Sequence, residues 1–546
     1  MTSNPKSAPP AAEPPDTAGA TQAARLATSA GVVGAATLAS RVLGLARDQV
    51  LAYRFGATDA MDAFNVAARI PNLMRDLFAE GAMSAAFVPT FMRRLTKDGR
   101  LPALLLGNQV INALIAATGL VVVAGILFAE PLVRALAVDY AAVPGKLELA
   151  ALLTRILLPV LTLVAVAAAM MGMLNSLDRF FVPALSPAMY NVGIIAGGAL
   201  LVPLMPGLGL DPIVAVAVGA LLGAVGQVAL QAPTLYGEGF RYRPALDPSD
   251  PGLRSILRLM GPGTLAGAAV QINLLVNMVL AAGEGTGAVS WLSYAFRVMY
   301  LPIGLFGVSV AAAAVPLLSR QGAQRDVAGM RDTVSRALRL TLAINVPATV
   351  GLMVLGVPIV ELIFERGSFT AADTAATADA LFLYAPGLAG YAAVRIAVPC
   401  FYALGSSRTP AAVSLAAVAL NIGLNLLLVR ILGYRGLALG TSVAALANSL
   451  VLLVLLRRRL EGLDLPRLLT LLGKVAVASA VMGAAAWTVH DRLLDVWGGA
   501  GFAVRLGRIA AGIAAGIAVL ALSARLLRLR ELDEAAAQIA ARLRRR

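Results

Sequence analysis

Seven ionisable side chains, Arg41, Arg47, Asp48, Arg69, Arg75, Asp76 and Glu80, fall inside two long apolar helical patterns between Gly31 and Arg94. A charge near the centre of a bilayer costs roughly 2.5 to 3.5 kcal/mol even on a lenient insertion scale, so this cluster facing lipid would cost well over about 10 kcal/mol. It must face water, partner side chains or a charged ligand. On an ideal helix, residues seven apart nearly coincide in angle and residues four apart are neighbours. Arg41 then shares a face with Asp48, and Arg69, Asp76 and Glu80 share a stripe, whereas Arg47 and Arg75 lie off both. So broad a charged surface suits a wet cavity better than one ion pair. Arginine is apt if the ligand carries phosphate, because its planar fork donates two parallel hydrogen bonds and keeps its proton. The acids would neutralise and orient the arginines until a ligand competes for the same donors.

Further polar residues interrupt apolar runs later in the chain. Arg297, in WLSYAFRVMYLPIGLFG, is the main basic residue of its segment. Asn277, Asn421 and Asn425 lie in apolar spans with Thr441 on the next, and Asn421 and Asn425 share a face at a spacing of four. Interhelical hydrogen bonding and a cation site made of amide oxygens are both open for this group, which lacks a carboxylate. The single cysteine, Cys400, excludes an intrachain disulfide framework, and the single histidine, His490, has no Cys or His partners for a metal or catalytic site. There is no Walker-type phosphate loop, so ATP-driven transport would need another chain.

The elements that must carry these residues are membrane spans. Of the 546 residues, 59% are hydrophobic and 14% charged, with mean hydropathy +0.80, far above a soluble domain. About fourteen segments are long enough to cross, beginning near residue 30 and ending near 528. The net charge of +15 sits in short clusters such as RRLTKDGR, YGEGFRYRP and RRRLEGLDLPR, which alternate with base-poor connections. That pattern argues for membrane topology over nucleic-acid binding and places both termini in the cytoplasm. Residues 1–27 read as a disordered cytoplasmic tail, rich in Pro, Ala, Thr and Ser, and 531–546 as a basic cytoplasmic tail lying on anionic lipid.

Weak self-similarity at a shift of about 228 to 230 residues relates LFAEGAMSAAFVPTFMRR, from Leu77, to LFGVSVAAAAVPLLSR, from Leu305. LNS before NVGI recurs as LGS before NIGL at the same interval. Six spans separate each element from its copy, so the halves run in the same direction, as in transporters whose ligand path lies between two lobes. The expected fold is an all-α polytopic membrane protein of about fourteen transmembrane helices. Two six-helix lobes, 28–240 and 241–462, form a parallel pseudo-repeat, followed by two C-terminal helices in 463–530.

The stretch SRVLGLARD, followed by TDAMDAFNVAARIPNLMRDLFAEGAMSAAFVP, closely resembles the signature of the MurJ (MviN-like) lipid II flippase family, within the multidrug/oligosaccharidyl-lipid/polysaccharide exporter superfamily. The similarity continues through SWLSYAFRVMYLPIGLFGVSVAAAAVPLLSR and LFERGSFTAADT. It implies a non-enzymatic transporter of the bacterial cytoplasmic membrane that carries undecaprenyl-diphosphate-linked peptidoglycan precursor from the inner to the outer leaflet. By position, the resemblance assigns the cationic cavity to Arg41, Arg47, Asp48, Asp62, Arg75 and Glu80 in the first lobe and Arg297 in the second. It implies a lipid-tail groove between the last two spans. Phe296 precedes Arg297 where some relatives carry an acid, and Asn277 stands where a sodium-binding relative would use Asp, which weakens a sodium site here. Expected partners are lipid II, membrane lipids and, as protein candidates, cell-wall synthesis enzymes, with no nucleic acid and a monomeric chain. No cofactor is expected, and coupling to the membrane potential or to a monovalent cation is open. The alternative is export of another polyprenyl-linked saccharide or a drug, which predicts a more apolar or acidic cavity.

Overall fold

The computed structural model describes residues 16–76, 83–303, 308–499, 501–529 and 531–532, which are helical almost throughout and include no strand. The first lobe comprises α1 (Asp16–Phe55), α2 (Asp59–Arg75), α3 (Met83–Asp98), α4 (Arg100–Leu127), α5 (Ala129–Leu136), α6 (Lys146–Leu157), α7 (Val160–Ser176), α8 (Phe181–Ala196) and α9 (Val214–Gly237). The second comprises α10 (Pro251–Ala282), α11 (Ala288–Pro302), α12 (Val308–Ala323), α13 (Val327–Val354), α14 (Gly356–Phe364), α15 (Ala371–Tyr384), α16 (Gly387–Ala403), α17 (Arg408–Leu432) and α18 (Tyr434–Arg459). Two more helices follow, α19 (Leu465–Val496) and α20 (Phe502–Leu526).

The repeat read from sequence is present in the order and length of the elements. α4 and α13 have 28 residues each, start 227 residues apart, and are followed at the same interval by the short helices α5 and α14. Each lobe also breaks its fourth long segment at a proline, Pro159 between α6 and α7 and Pro386 between α15 and α16, because proline lacks the N–H and crowds the preceding turn. By length and apolarity, nine helices among the described residues can cross a membrane, or ten if the α15–α16 pair, bent by 44°, is one span. The other expected crossings fall on α1, α2 with α3, α10, and α11 with α12, which are charged, interrupted or only partly apolar. α1 starts at Asp16, so the latter part of the expected N-terminal tail is helical, and residues 1–15 lie outside the described residues. Glu531 pairs with Arg339 of α13 at 3.3 Å, and the expected basic tail beyond residue 532 also lies outside them.

Close helix crossings rest on small residues. In α8 and α9, Gly193 meets Gly219 and Gly223 so closely that a Cβ on Gly219 would strike the Gly193 carbonyl oxygen. Without a hydrophobic drive between helices in lipid, backbone approach of this kind supplies the packing. α19 packs on α20 and on α13, and α20 also meets α14, leaving Val477, Val481, Trp487, Ile517 and Leu522 exposed as lipid-facing surface.

The buried cores divide by depth. One continuous core joins the lobes at the end where α1 stops, bringing Leu51, Phe55 and Met61 together with Tyr294, Phe364 and Phe369. The rings of Tyr294 and Phe364 are 4.8 Å apart there, and Ser368 N–H donates to the Tyr53 carbonyl at 2.9 Å. Toward the opposite end each lobe has its own core, around Phe87, Phe91 and Met173 in the first and Met330, Phe401 and Leu452 in the second. α10 bridges the two: Leu253 and Ile256 near its start sit in the first lobe's core, whereas its other end packs on α17. Residues 240–250 leading into it are tied to α4, where Asn108 and Asn112 donate to the Arg243 carbonyl at 2.9 and 2.7 Å. Between the lobes this arrangement leaves a cavity.

Candidate functional site

The cavity has two chambers. One, of about 520 Å³, lies within the first lobe and is lined by Ser40, Ser186, Asn191, Gln227 and Gln231 among others. The second, of about 410 Å³, lies between the lobes and is lined by Asn65, Arg69, Asn273, Phe296, Tyr384 and Tyr391 among others. Arg47, Asn72, Tyr190 and Arg297 line both, so the two arginines stand at the waist.

At the waist one carboxylate holds two guanidinium groups from different lobes. Arg47 on α1 donates to Asp48 Oδ1 from Nε at 3.0 Å and from Nη2 at 2.8 Å. Arg297 on α11 donates to the same oxygen from Nη1. Asp48 is 5% exposed, while the Arg47 and Arg297 side chains are 20% and 36% exposed, so the acid is sealed and the bases remain open. Arg47 Nη1 also donates to Asn191 Oδ1 at 3.0 Å, and Asn191 donates to the Ser40 carbonyl at 3.2 Å, which fixes the fork. Arg69 donates to Gln271 Oε1 at 3.1 Å, and Gln271 reaches Asp76 at 3.4 Å. No Asp or Glu lines either chamber among the described residues, so the surface offered to a ligand is cationic and amide-rich. Such a surface binds an anion through charge-assisted, forked hydrogen bonds.

The profile of the family described as "Lipid II flippase MurJ" matches residues 51–506. The chain belongs to the MurJ lipid II flippase family. It is 35% identical to a probable lipid II flippase MurJ of Vibrio cholerae over 517 residues, covering 91% of this chain and 96% of the relative. It is 33% identical to the lipid II flippase MurJ of Burkholderia cenocepacia over 427 residues, covering 78% of this chain and 82% of that one. Among solved structures, a lipid II flippase MurJ in an inward closed conformation aligns with a TM-score of 0.73 at 26% identity, covering 91% of this chain and 99% of that structure. An inward-facing MATE family multidrug transporter of the MOP superfamily shares the fold at 19% identity, with a TM-score of 0.65 and coverage of 77% and 94%.

Of the seven cavity positions that the MurJ resemblance assigned, Arg47, Asp48 and Arg297 lie in mutual contact. Arg41 is exposed on α1 and is not among the residues lining either chamber. It lies seven residues, about 10 Å along the axis, before Asp48. The Arg75 side chain and Glu80 lie outside the described residues. Asp62 is not a cavity residue. It is fully buried near the start of α2 and accepts from Gly287 N at 2.7 Å, Ser290 N at 3.0 Å and Ser290 Oγ at 2.7 Å, all on the second lobe. α11 begins at Gly287 without a capping side chain of its own, and Asp62 supplies the acceptor from across the interface, where the helix dipole favours negative charge. Lys146 lies 3.5 Å from Asp62 and 2.6 Å from Asp59, with its ammonium 4.2 Å from the Tyr140 ring centre. These contacts bind the lobes at the end that shares one core.

The four amide and hydroxyl residues do gather. Asn425 Nδ2 donates to Asn277 Oδ1 at 2.6 Å and to Asn421 Oδ1 at 3.3 Å, and Asn421 donates to Thr441 Oγ1 at 3.5 Å. Sequence reasoning named Arg69 but left it out of the site, and it missed Asn191, Asn72 and the aromatic residues of the second chamber. Asn72 lies three residues beyond Arg69 on α2, a helical spacing that was a usable signal. Arg395, half-buried on α16 and donating to the Tyr300 hydroxyl, was missed as well.

Proposed function

We propose that this protein moves lipid II, the undecaprenyl-diphosphate-linked peptidoglycan precursor, from the inner to the outer leaflet of the bacterial cytoplasmic membrane. The observation that carries the reading is the waist bridge, in which Asp48 holds Arg47 and Arg297 of opposite lobes at the junction of two chambers. A diphosphate competes with Asp48 for those forks, and the headgroup fills the chambers while the prenyl tail stays in lipid. Alternating access requires the lobes to part at the end they share and to close at the other as they rock about the waist. A ligand shifts such an equilibrium only by its unequal affinity for the two states, and a bridge between lobes is a contact whose competition differs between them. The alternating base-rich loops support cytoplasmic termini and hence an outer position for the shared core. The apolar outer face of α19 and α20 supports a role for that pair in holding the tail. A drug exporter of the superfamily would want an apolar or acidic cavity, and these chambers are cationic.

The asparagine group lacks the carboxylate that a monovalent-cation site would use. Asn425 Nδ2 donates to the oxygens of Asn277 and Asn421, and Asn425 Oδ1 is buried without a hydrogen-bond partner among the described residues. No step is routed through a bound cation. The membrane potential supplies about 2.3 kcal/mol per charge per 100 mV and favours outward movement of an anion from a negative interior, which supports potential as the driving term. Cell-wall synthesis enzymes are the class of partner that would supply or consume its cargo.

Arg47→Ala and Arg297→Ala test the reading. Each is expected to abolish outward movement of labelled lipid II in reconstituted vesicles while leaving the protein in the membrane. Normal movement in either variant would sink the assignment.

A further inference from the structure

The second chamber has a wall that phosphate recognition does not require. Phe296, Tyr384 and Tyr391 line it from α11, α15 and α16. Tyr384 and Tyr391 both stand edge-on to Phe296, with ring centres 5.6 and 6.4 Å away and interplanar angles of 76° and 87°. Behind them Tyr300 stacks on Phe296 at 5.7 Å and accepts from Arg395, which ties the group into the lobe. Phe296 and Tyr391 are half-buried and the buried Tyr384 backs them, and rings fixed in this way offer their remaining surface at little entropic cost. The same chamber is lined by Asn65, Asn72 and Asn273. Asn273 Oδ1 is buried and has no hydrogen-bond partner among the described residues. A buried acceptor without a donor calls for a partner.

Aromatic faces and neutral amides in one cavity match few ligand chemistries. A prenyl chain would bury the amides unsatisfied, at a cost of a few kcal/mol for each polar group. A cationic drug would want a carboxylate, and the lining offers none among the described residues. A pyranose ring has an apolar face of C–H bonds and a rim of hydroxyl and amide groups. The first stacks on a ring and the second bonds to asparagine. Phe296 precedes Arg297 in the chain and both line this chamber, so a sugar attached directly to a diphosphate at the waist lies within reach of the wall.

We propose that Phe296 and Tyr391, backed by Tyr384 and joined by Asn273, form a saccharide-stacking subsite that reads the sugar portion of the headgroup separately from the arginine subsite for the diphosphate. This rests on the reading of the waist as the diphosphate site.

The test compares two lipids on purified full-length protein in nanodiscs, undecaprenyl diphosphate without sugar and complete lipid II, each titrated against a fluorescent lipid II. Phe296→Leu and Tyr391→Leu keep an apolar side chain and remove the ring, and Tyr391→Phe keeps the ring. The leucine variants are expected to lose roughly three- to tenfold in affinity for lipid II, the scale of one aromatic contact. Their affinity for undecaprenyl diphosphate should stay within about twofold, and Tyr391→Phe should behave as wild type toward both lipids. Equal loss for the two lipids, or no loss for lipid II in either leucine variant, would overturn the subsite. If Arg47→Ala binds undecaprenyl diphosphate as tightly as wild type, the diphosphate reading fails instead, and that result is independent of the aromatic variants.

Discussion

Replacing Asp48 by Asn separates binding from transport. In the structure Asp48 Oδ1 receives both Arg47 and Arg297, so an incoming diphosphate must displace a carboxylate that already holds its donors. Hydrogen bonds to a charged group contribute about 1.5–3 kcal/mol each. Here three share one oxygen, and the two arginines are 20% and 36% exposed, so solvent and crowding reduce the total. A net competition of about 1–2 kcal/mol is a reasonable figure, which is roughly a 5- to 30-fold change in affinity. Asp48→Asn should therefore bind undecaprenyl diphosphate tighter by that factor. It should also move lipid II more slowly, because the contact that draws the lobes together after release is gone. Titration in nanodiscs gives the first quantity and flux of labelled lipid II into reconstituted vesicles the second. Binding that weakens in Asp48→Asn would refute the competition, because it would mean that the acid holds the arginines in the geometry the ligand needs.

Lys146→Met leaves Asp59 and the buried Asp62 without their ammonium partner, and should lower the melting temperature in detergent by an amount equivalent to roughly 3–5 kcal/mol, the usual cost of breaking a buried pair. An unchanged melt would show that the neutral donors of Gly287 and Ser290 suffice. Gly219→Val places carbon against the Gly193 carbonyl in the α8–α9 crossing and should destabilise by at least about 1–3 kcal/mol in the same assay, whereas Gly99→Ala, in open space though at φ +89°, serves as the comparison for backbone strain alone. Replacing sodium by potassium or choline at a fixed membrane potential should leave lipid II flux unchanged, since the group of Asn277, Asn421, Asn425 and Thr441 has no carboxylate to balance a cation. Burial raises the Glu284 carboxyl, in the turn before α11, above its ordinary pKa, against the lowering effect of the Tyr434 backbone N–H. A carboxylate raised on folding costs stability above its folded pKa and none below its unfolded one, so Glu284→Gln should raise the melting temperature at neutral pH and leave it unchanged in acid.

The pattern of spans and the repeat were legible because hydropathy and turn chemistry act locally, and both lobes use them alike. Pro159 and Pro386 break matching segments for the same steric reason. Arg47, Asp48 and Arg297 were legible as a set because charge is costly in lipid wherever it occurs, and that cost forces the three into one wet place. Asp62, which the resemblance assigned to the cavity by position, lies instead in the lobe interface. It lies on the same helix as Arg69 and Asn72, but near the end of that helix, and depth along a helix decides which cavity or interface a side chain meets. The signal that could have placed it lies 225 residues away, in a helix whose starting residue, Gly287, has no side chain to cap it. Aromatic residues in apolar spans carry no such cost, so nothing in their type separated Phe296, Tyr384 and Tyr391 from ordinary packing.

The polar contacts between the lobes divide into two kinds. At the shared core, Asp62 accepts from backbone and hydroxyl groups of α11 in a site closed to any ligand, so its strength does not change when cargo binds. At the waist, Asp48 holds an arginine that cargo also wants. The first closes the outer end and has to open for release to the outer leaflet, and the second is a contact the cargo replaces. The waist alone is too weak to drive the change. Moving a two-state protein from 1:99 to 99:1 takes about 5.5 kcal/mol of unequal affinity, against about 1–2 kcal/mol assigned to the Asp48 competition. The remainder, roughly 4 kcal/mol, has to come from the rest of the headgroup meeting the chambers differently in the two states. That requirement explains why the arginines open onto two chambers of about 520 and 410 Å³ lined with amides and aromatic rings. A site built only to hold a diphosphate would bind its cargo without turning the protein over.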